Sequence, residues 1–177
     1  MNVSALAAHV PDFAQVPPGR RLRPRADAHR PAPAQPPPLP DLGALEAQRL
    51  TMNRAVLAVP GPTVVVLYAL TGPGRKAHHD LDAARGYAAA QRLTVHGAPI
   101  VDTLDETDVR TGGEDPLLRR GYTLALRMLA DLTCPVRGVV AVSRTAITPD
   151  DRLYRNQLTW YAAQRAGLWL VRGETQI

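Results

Sequence analysis

The chain has a single cysteine, Cys134, so neither an intrachain disulfide nor a cysteine-based zinc site can form within it. It also lacks a long hydrophobic run. The longest apolar stretch, Val64 to Leu70, is far too short to cross a bilayer, which excludes a membrane span. The opening residues MNVSALAAHVPDF contain no basic segment followed by an apolar run, so no signal peptide is expected. A soluble cytoplasmic protein is the expectation. Large aromatics are scarce. Trp160, Tyr161 and Trp169 fall where a core needs bulk and are assigned to packing, not to base stacking. Lysine is nearly absent as well: Lys76 stands beside 20 arginines, a bias that fits a GC-rich coding sequence.

Proline, by contrast, is abundant and unevenly placed. Of 17 prolines, ten lie between Pro11 and Pro40. Proline removes backbone donors and fixes φ, and the same stretch has too few large apolar side chains to offset ordering entropy. Residues 1–40 are therefore expected to form a disordered Pro/Arg-rich arm, with polyproline II character at Pro36-Pro37-Pro38-Leu39-Pro40. Residues 41–60 form a helix and linker in this reading, and residues 61–177 a single α/β domain. The net charge of +5 and pI near 10.0 are compatible with a polyanionic partner.

Beyond the arm the pattern becomes regular. Asp41 to Leu57 is predicted as a helix capped by Asp41, with Leu45, Met52 and Val56 facing inward. Thr63 to Ala69 (TVVVLYA) is a β-branched run, as expected of a parallel strand buried on both faces. A turn at Thr71 to Gly74 leads into a helix over Asp80 to Leu93, with Leu81, Ala84 and Ala88 on one face. A short strand follows at Ala98 to Asp102, then an irregular acidic loop over Thr103 to Glu114; the run Asp102 to Asp108 reads as a solvated loop. Asp115 caps a helix predicted to reach Leu132, with Pro116 at its first position and a buried stripe of Leu118, Tyr122, Ala125 and Leu129. Gly138 to Ser143 is the next strand. Thr148-Pro149-Asp150-Asp151 opens a last helix, Gly167 ends it, and Leu168 to Val171 is the final strand. The expected fold is a small, doubly wound, mostly parallel sheet of about four strands with helices on both faces. Such a sheet places its chemistry beyond the carboxyl ends of its strands.

Several of those ends resemble a known family. Tyr68-Ala69-Leu70-Thr71-Gly72 lies where the serine-recombinase (resolvase/invertase) catalytic domain has a Tyr-x-Arg-x-Ser signature. In the family's order follow Leu81 to Ala88 as a first helix, Val101 to Glu106 as an acidic strand end, and Asp115-Pro116-Leu117-Leu118 as an Arg-Pro-x-Leu helix start. Val139 to Arg144 is similar to the strand entering the arginine-rich loop, and Asp151-Arg152-Leu153-Tyr154-Arg155 spells that loop's Asp-Arg-Leu-x-Arg signature. The resemblance covers Val64 to Val171. It implies a DNA-associated fold built for recombination, in which a serine attacks a phosphodiester and arginines neutralise the phosphate.

The departures from that pattern bear on chemistry. Leu70 replaces the arginine and Gly72 the serine, leaving Thr71 as the nearest hydroxyl, one residue out of register. The Asp-Arg-Leu-x-Arg signature lies inside a capped helix, and Arg144 takes the strand-end position. The chain ends soon after the last strand, so neither the family's long helix nor its helix-turn-helix domain is expected. The resemblance then implies a catalytically inactive resolvase-like module, a pseudoenzyme with a binding or regulatory role. Its DNA or protein partner would meet Arg75, Lys76, Arg144, Arg152, Arg155 and the arm. An alternative stays open: Gly72-x-Gly74-x-x-Ala77 fits a dinucleotide fingerprint, and a nucleotide or phosphate ligand could sit on the Gly72 to Lys76 turn. Against it, Pro73 removes a donor and no acid lies between Asp82 and Asp102. No resident cofactor is expected. His78-His79-Asp80 reads as a solvated helix start and not a metal site, because neighbouring helical side chains diverge by about 100°.

Overall fold

The computed structural model describes residues 42–104 and 115–174. The chain is an α/β protein. Helix α1 (Leu42–Leu57) precedes strand β1 (Val64–Thr71), helix α2 (His78–Ala90) and strands β2 (Thr94–Val95) and β3 (Ile100–Thr103). A 3₁₀ turn (Pro116–Leu118), α3 (Arg120–Ala130) and β4 (Val136–Ala141) follow. The chain then forms the single-turn helix α4 (Arg144–Ile147), α5 (Asp151–Ala163) and β5 (Gly167–Leu170).

All strand pairings among the described residues are parallel. β1 is central, with β4 and then β5 on one side. On its other side, β2 pairs with Val64 and Val65 while β3 pairs with Tyr68 to Thr71. The single short strand expected at Ala98 to Asp102 is thus one edge strand in two pieces. The break has a local cause: Gly97 adopts a φ of 65° and Pro99 cannot donate to a ladder.

Strand alternation builds two cores. Val66, Tyr68, Val139, Ala141, Leu168 and Leu170 face α3 and α5 in the larger cluster. Val65, Leu67, Val140 and Trp169 meet Ala84 and Ala88 of α2 in the smaller. Helix α1 straddles the β5 edge, giving Leu45 and Met52 to the first cluster and Val56 to the second. Its Asn53 side chain acts as a substitute strand: Nδ2 donates to the Leu168 carbonyl at 2.8 Å and Oδ1 accepts from the Leu168 amide at 2.9 Å. That contact pairs backbone groups an edge strand otherwise leaves open.

Three sequence-based boundaries need correction. Asp115 caps only the 3₁₀ turn, accepting from the Leu117 amide at 2.9 Å. Arg119 then goes extended (φ −87°, ψ 126°) before α3 begins. Leu118, expected in the buried stripe, is consequently 77% exposed. The last helix is capped by Asp150, whose Oδ1 accepts from the Leu153 amide at 2.7 Å, and not by Thr148 with Pro149 at the first helical position. It ends at Ala163 with Gln164 as its C-cap, and Arg165 follows in the left-handed region at φ 53°, while Gly167 already belongs to β5. Of the acidic stretch, residues 105–114 lie outside the described residues, as does Asp41.

Candidate functional site

The strand order changes direction between β1 and β4: the chain moves outward from β1 to the β2/β3 edge, then crosses to β4. Beyond the carboxyl ends of β1 and β4 lies the crevice that such a reversal creates in a parallel sheet. Thr71, the last residue of β1, is buried there. Its Oγ1 donates to the Asp102 carbonyl at 3.3 Å and lies 3.1 Å from the Thr103 hydroxyl. The hydroxyl nearest the expected nucleophile is thus tied to the neighbouring strand.

Gly72-Pro73-Gly74-Arg75 makes a type II turn. Proline sets φ at the second position, Gly74 supplies a φ of 70° at the third, and the Arg75 amide donates to the Gly72 carbonyl at 3.1 Å. The glycines at 72 and 74 therefore have a backbone reason to be present. Arg75 and Lys76 are exposed. Helix α2 then starts behind Ala77 with no side chain capping it, so its first amides have no partner within the helix. The His78 and His79 rings, expected to diverge, lie against each other with centroids 3.9 Å apart and planes tilted by 41°. Among the described residues, no group of three or more His, Cys, Asp or Glu side chains is placed to hold a metal ion.

Asp102 forms the hub at the β3 end, contrary to its reading as part of a solvated loop. Its Oδ1 accepts from the Gly121 amide and its Oδ2 from the Tyr122 amide, each at 2.8 Å; the Tyr68 hydroxyl donates to Oδ2 at 3.1 Å. A carboxylate from another element thus caps α3 and compensates its positive end. The approach needs Gly121: a Cβ there would lie 2.8 Å from Oδ1 and 2.7 Å from the Ile100 side chain.

The buried arginines near this end are also engaged. Arg119 donates to the carbonyls of Ala146 and Ile147 at 3.0 and 2.8 Å. Arg144 pairs with Asp151, donates to the Pro149 carbonyl at 2.8 Å, and lies 5.0 Å from the centre of the Tyr154 ring. Its Nε is buried without a partner among the described residues. Beyond Tyr154, whose hydroxyl donates to Glu174 at 3.1 Å, a buried ion pair joins Glu174 to Arg49 of α1.

The sequence-predicted cations therefore separate. Arg144 turns inward, whereas Arg75, Lys76, Arg152 and Arg155 are exposed and none forms an ion pair among the described residues. The turn before α2 and the first turn of α5 lie at the same end of the sheet, on opposite faces. Most of the described acids of that end are engaged locally: Asp102 and Asp150 cap helices, Asp115 caps the 3₁₀ turn, Asp151 holds Arg144 and Asp82 holds Arg85, while Asp80 in the first turn of α2 forms no ion pair among the described residues.

Burial raises the pKa of four tyrosines above the ordinary value of 10.0. Desolvation is the first cause for Tyr68, Tyr122, Tyr154 and Tyr161, with the Glu174 charge adding to it at Tyr154. Below about pH 10 these groups are protonated whether folded or not. Above it the unfolded chain releases protons that the folded chain retains, so stability falls as pH rises. Each tyrosine contributes a slope of up to about 1.4 kcal/mol per pH unit. Denaturant melts at increasing pH should lose stability steeply in this range, with tyrosinate absorbance appearing together with unfolding. Gradual ionisation of all four in a still-folded chain would contradict the assignment.

Sequence reasoning missed Arg49, Asn53, Arg119 and Glu174 as interior polar groups. For two of them a signal was present: Leu45, Arg49, Met52, Asn53 and Val56 share one helical face, so any reading that buries Leu45 and Met52 also buries Arg49 and Asn53. No protein-family model matches the chain, and no curated protein matches it.

Proposed function

We propose that the chain is a non-catalytic, resolvase-like binding module that engages duplex DNA through the basic rim at the carboxyl end of its sheet. The observation that carries this reading is the division of charge at that end. Among the described residues, Asp102, Asp150 and Asp151 are spent in caps and an ion pair and only Asp80 stands beside the cations, while Arg75, Lys76, Arg152 and Arg155 face solvent. The uncapped α2 amino terminus adds oriented amides beside Arg75 and Lys76, a combination suited to a backbone phosphate. The lack of catalysis is supported by Leu70 and Gly72 at the signature positions and by the hydrogen bonds that occupy the Thr71 hydroxyl. A cytoplasmic location accords with this reading, and no helix among the described residues is long and apolar enough to cross a membrane.

Electrophoretic retardation of nonspecific duplex tests it. Replacing Arg75, Lys76, Arg152 and Arg155 together by glutamine should weaken binding at least about tenfold at low salt. The salt dependence should become shallower by up to about 0.9 per lost phosphate contact. Removing residues 1–40 takes away Arg20, Arg21, Arg23, Arg25 and Arg30 and should weaken it further. Retardation unaffected by the fourfold change would overturn the rim, and a covalent DNA–protein adduct on a denaturing gel would overturn the absence of catalysis. Thermal stabilisation by a mononucleotide, without retardation of duplex, would favour a small phosphate ligand at the Gly72 to Lys76 turn.

A further inference from the structure

The opposite pole of the sheet, where the strands begin, carries a feature that the DNA reading does not use. A groove of about 620 Å³ runs between the outer side of α1 and the end of α5. A second, of about 460 Å³, continues from it past the starts of β1 and β4, and the two share Val56, Val59 and Arg165. The cause is compositional. Ala47, Thr51 and Ala55 repeat every four residues along α1 and face Ala162 of α5, so small side chains hollow the wall. Meanwhile Arg49 and Asn53 anchor the other side of the helix to Glu174 and β5.

Charge distinguishes this groove from a bare apolar surface. Among the described residues, neither groove has a carboxylate in its wall, whereas Arg165 lines both and Arg137 lines the second. Arg165 is exposed and has no ion pair among the described residues. Its backbone is held by the helix-ending bonds from the Arg165 amide to Ala162 and from the Ala166 amide to Tyr161, at 3.0 and 2.9 Å. A cation therefore stands on a fixed support at the junction of two apolar troughs. The volume lies within the usual range of about 300–1,000 Å³ for small-molecule sites.

We infer that this groove binds a small amphipathic acid, a medium-chain aliphatic carboxylate. Its carboxylate is held by Arg165, with Arg137 adding positive charge beside it, and its chain lies along Ala47, Thr51, Ala55 and Val59. A guanidinium grips a carboxylate through paired charge-assisted hydrogen bonds, and the alkyl chain removes apolar wall from water. No step of the DNA reading is involved, so either can fail without the other.

Calorimetric titration of the full chain with decanoate, kept below its micelle-forming concentration, provides the test. Saturable binding at one site is expected, with decanol at least tenfold weaker. Arg165→Asn should weaken decanoate at least tenfold while keeping a residue that tolerates positive φ. Ala55→Trp fills the trough from an exposed helical position and should abolish binding with little change in melting temperature. If that variant does not fold, Arg165→Asn and the decanol comparison decide. Absence of saturable heat, decanol binding as tightly as decanoate, or binding unaffected by Arg165→Asn would each overturn the site. Binding retained in a folded Ala55→Trp variant would do the same.

Discussion

Replacing Glu174 by alanine is expected to destabilise the protein by about 3–5 kcal/mol, the usual cost of breaking a buried ion pair from one side. Glu174 follows the last strand, and its side chain is 1% exposed against Arg49 at 4%. Both carboxylate oxygens accept from the Arg49 guanidinium, and one also accepts from Tyr154. Alanine would leave a guanidinium and a phenol buried together without their acceptor. A domain of this size is stabilised by only about 5–15 kcal/mol, so the loss should be plain in a denaturant melt. Replacing Arg49 and Glu174 together by leucine removes both charges and should recover most of the stability, because the pair's attraction is offset by its desolvation. A single-variant loss under about 1 kcal/mol would mean that the carboxylate is not buried against Arg49 in solution.

A comparable loss is expected from one added methyl group in the sheet. Gly138 and Gly167 are register partners on adjacent strands, and the Trp169 indole lies across them. A Cβ at Gly138 would come within 2.3 Å of the indole and 2.5 Å of the Gly167 carbonyl oxygen; for one at Gly167 the three nearest atoms all belong to the indole, the first also at 2.3 Å. Gly138→Ala should therefore cost at least about 3 kcal/mol, the upper end of ordinary overpacking, because a backbone atom stands in the way. Gly167→Ala should cost less. Trp169→Leu should rescue Gly167→Ala but not Gly138→Ala, an asymmetry that denaturant melts of the double variants can read. Equal rescue of both would show that the strand backbones, and not the indole alone, give way.

What was legible in the sequence is what depends on local chemistry. The β-branched run at Val64, the Pro73-Gly74 turn and the alternation of Val139 to Ala141 specify strand, turn and two-sided burial from side chains a few residues apart. The order of elements then leads to a parallel sheet. What was not legible depends on partners distant in sequence. Asp102 lies within an acidic run and reads as solvated until α3 brings the Gly121 and Tyr122 amides to it. Glu174 has no local pattern at all, and its partner is 125 positions away. Arg119 ends the 3₁₀ turn because carbonyls of α4 draw its side chain inward, which helix propensity alone does not anticipate. Among the cations, sequence could name Arg144, Arg152 and Arg155 together but could not separate them. The Asp151 contact makes one a structural arginine, while helical phase leaves the other two in solvent.

The DNA-binding claim is tested most directly by mapping backbone amide shifts while a short duplex is titrated into the isotope-labelled chain. Perturbations are expected to concentrate at Arg75 to Asp80 and at Asp151 to Arg155, and to fade as salt is raised. A duplex that binds while leaving both segments unperturbed, or one that shifts only residues at the opposite pole such as Ala55 and Arg165, would contradict it.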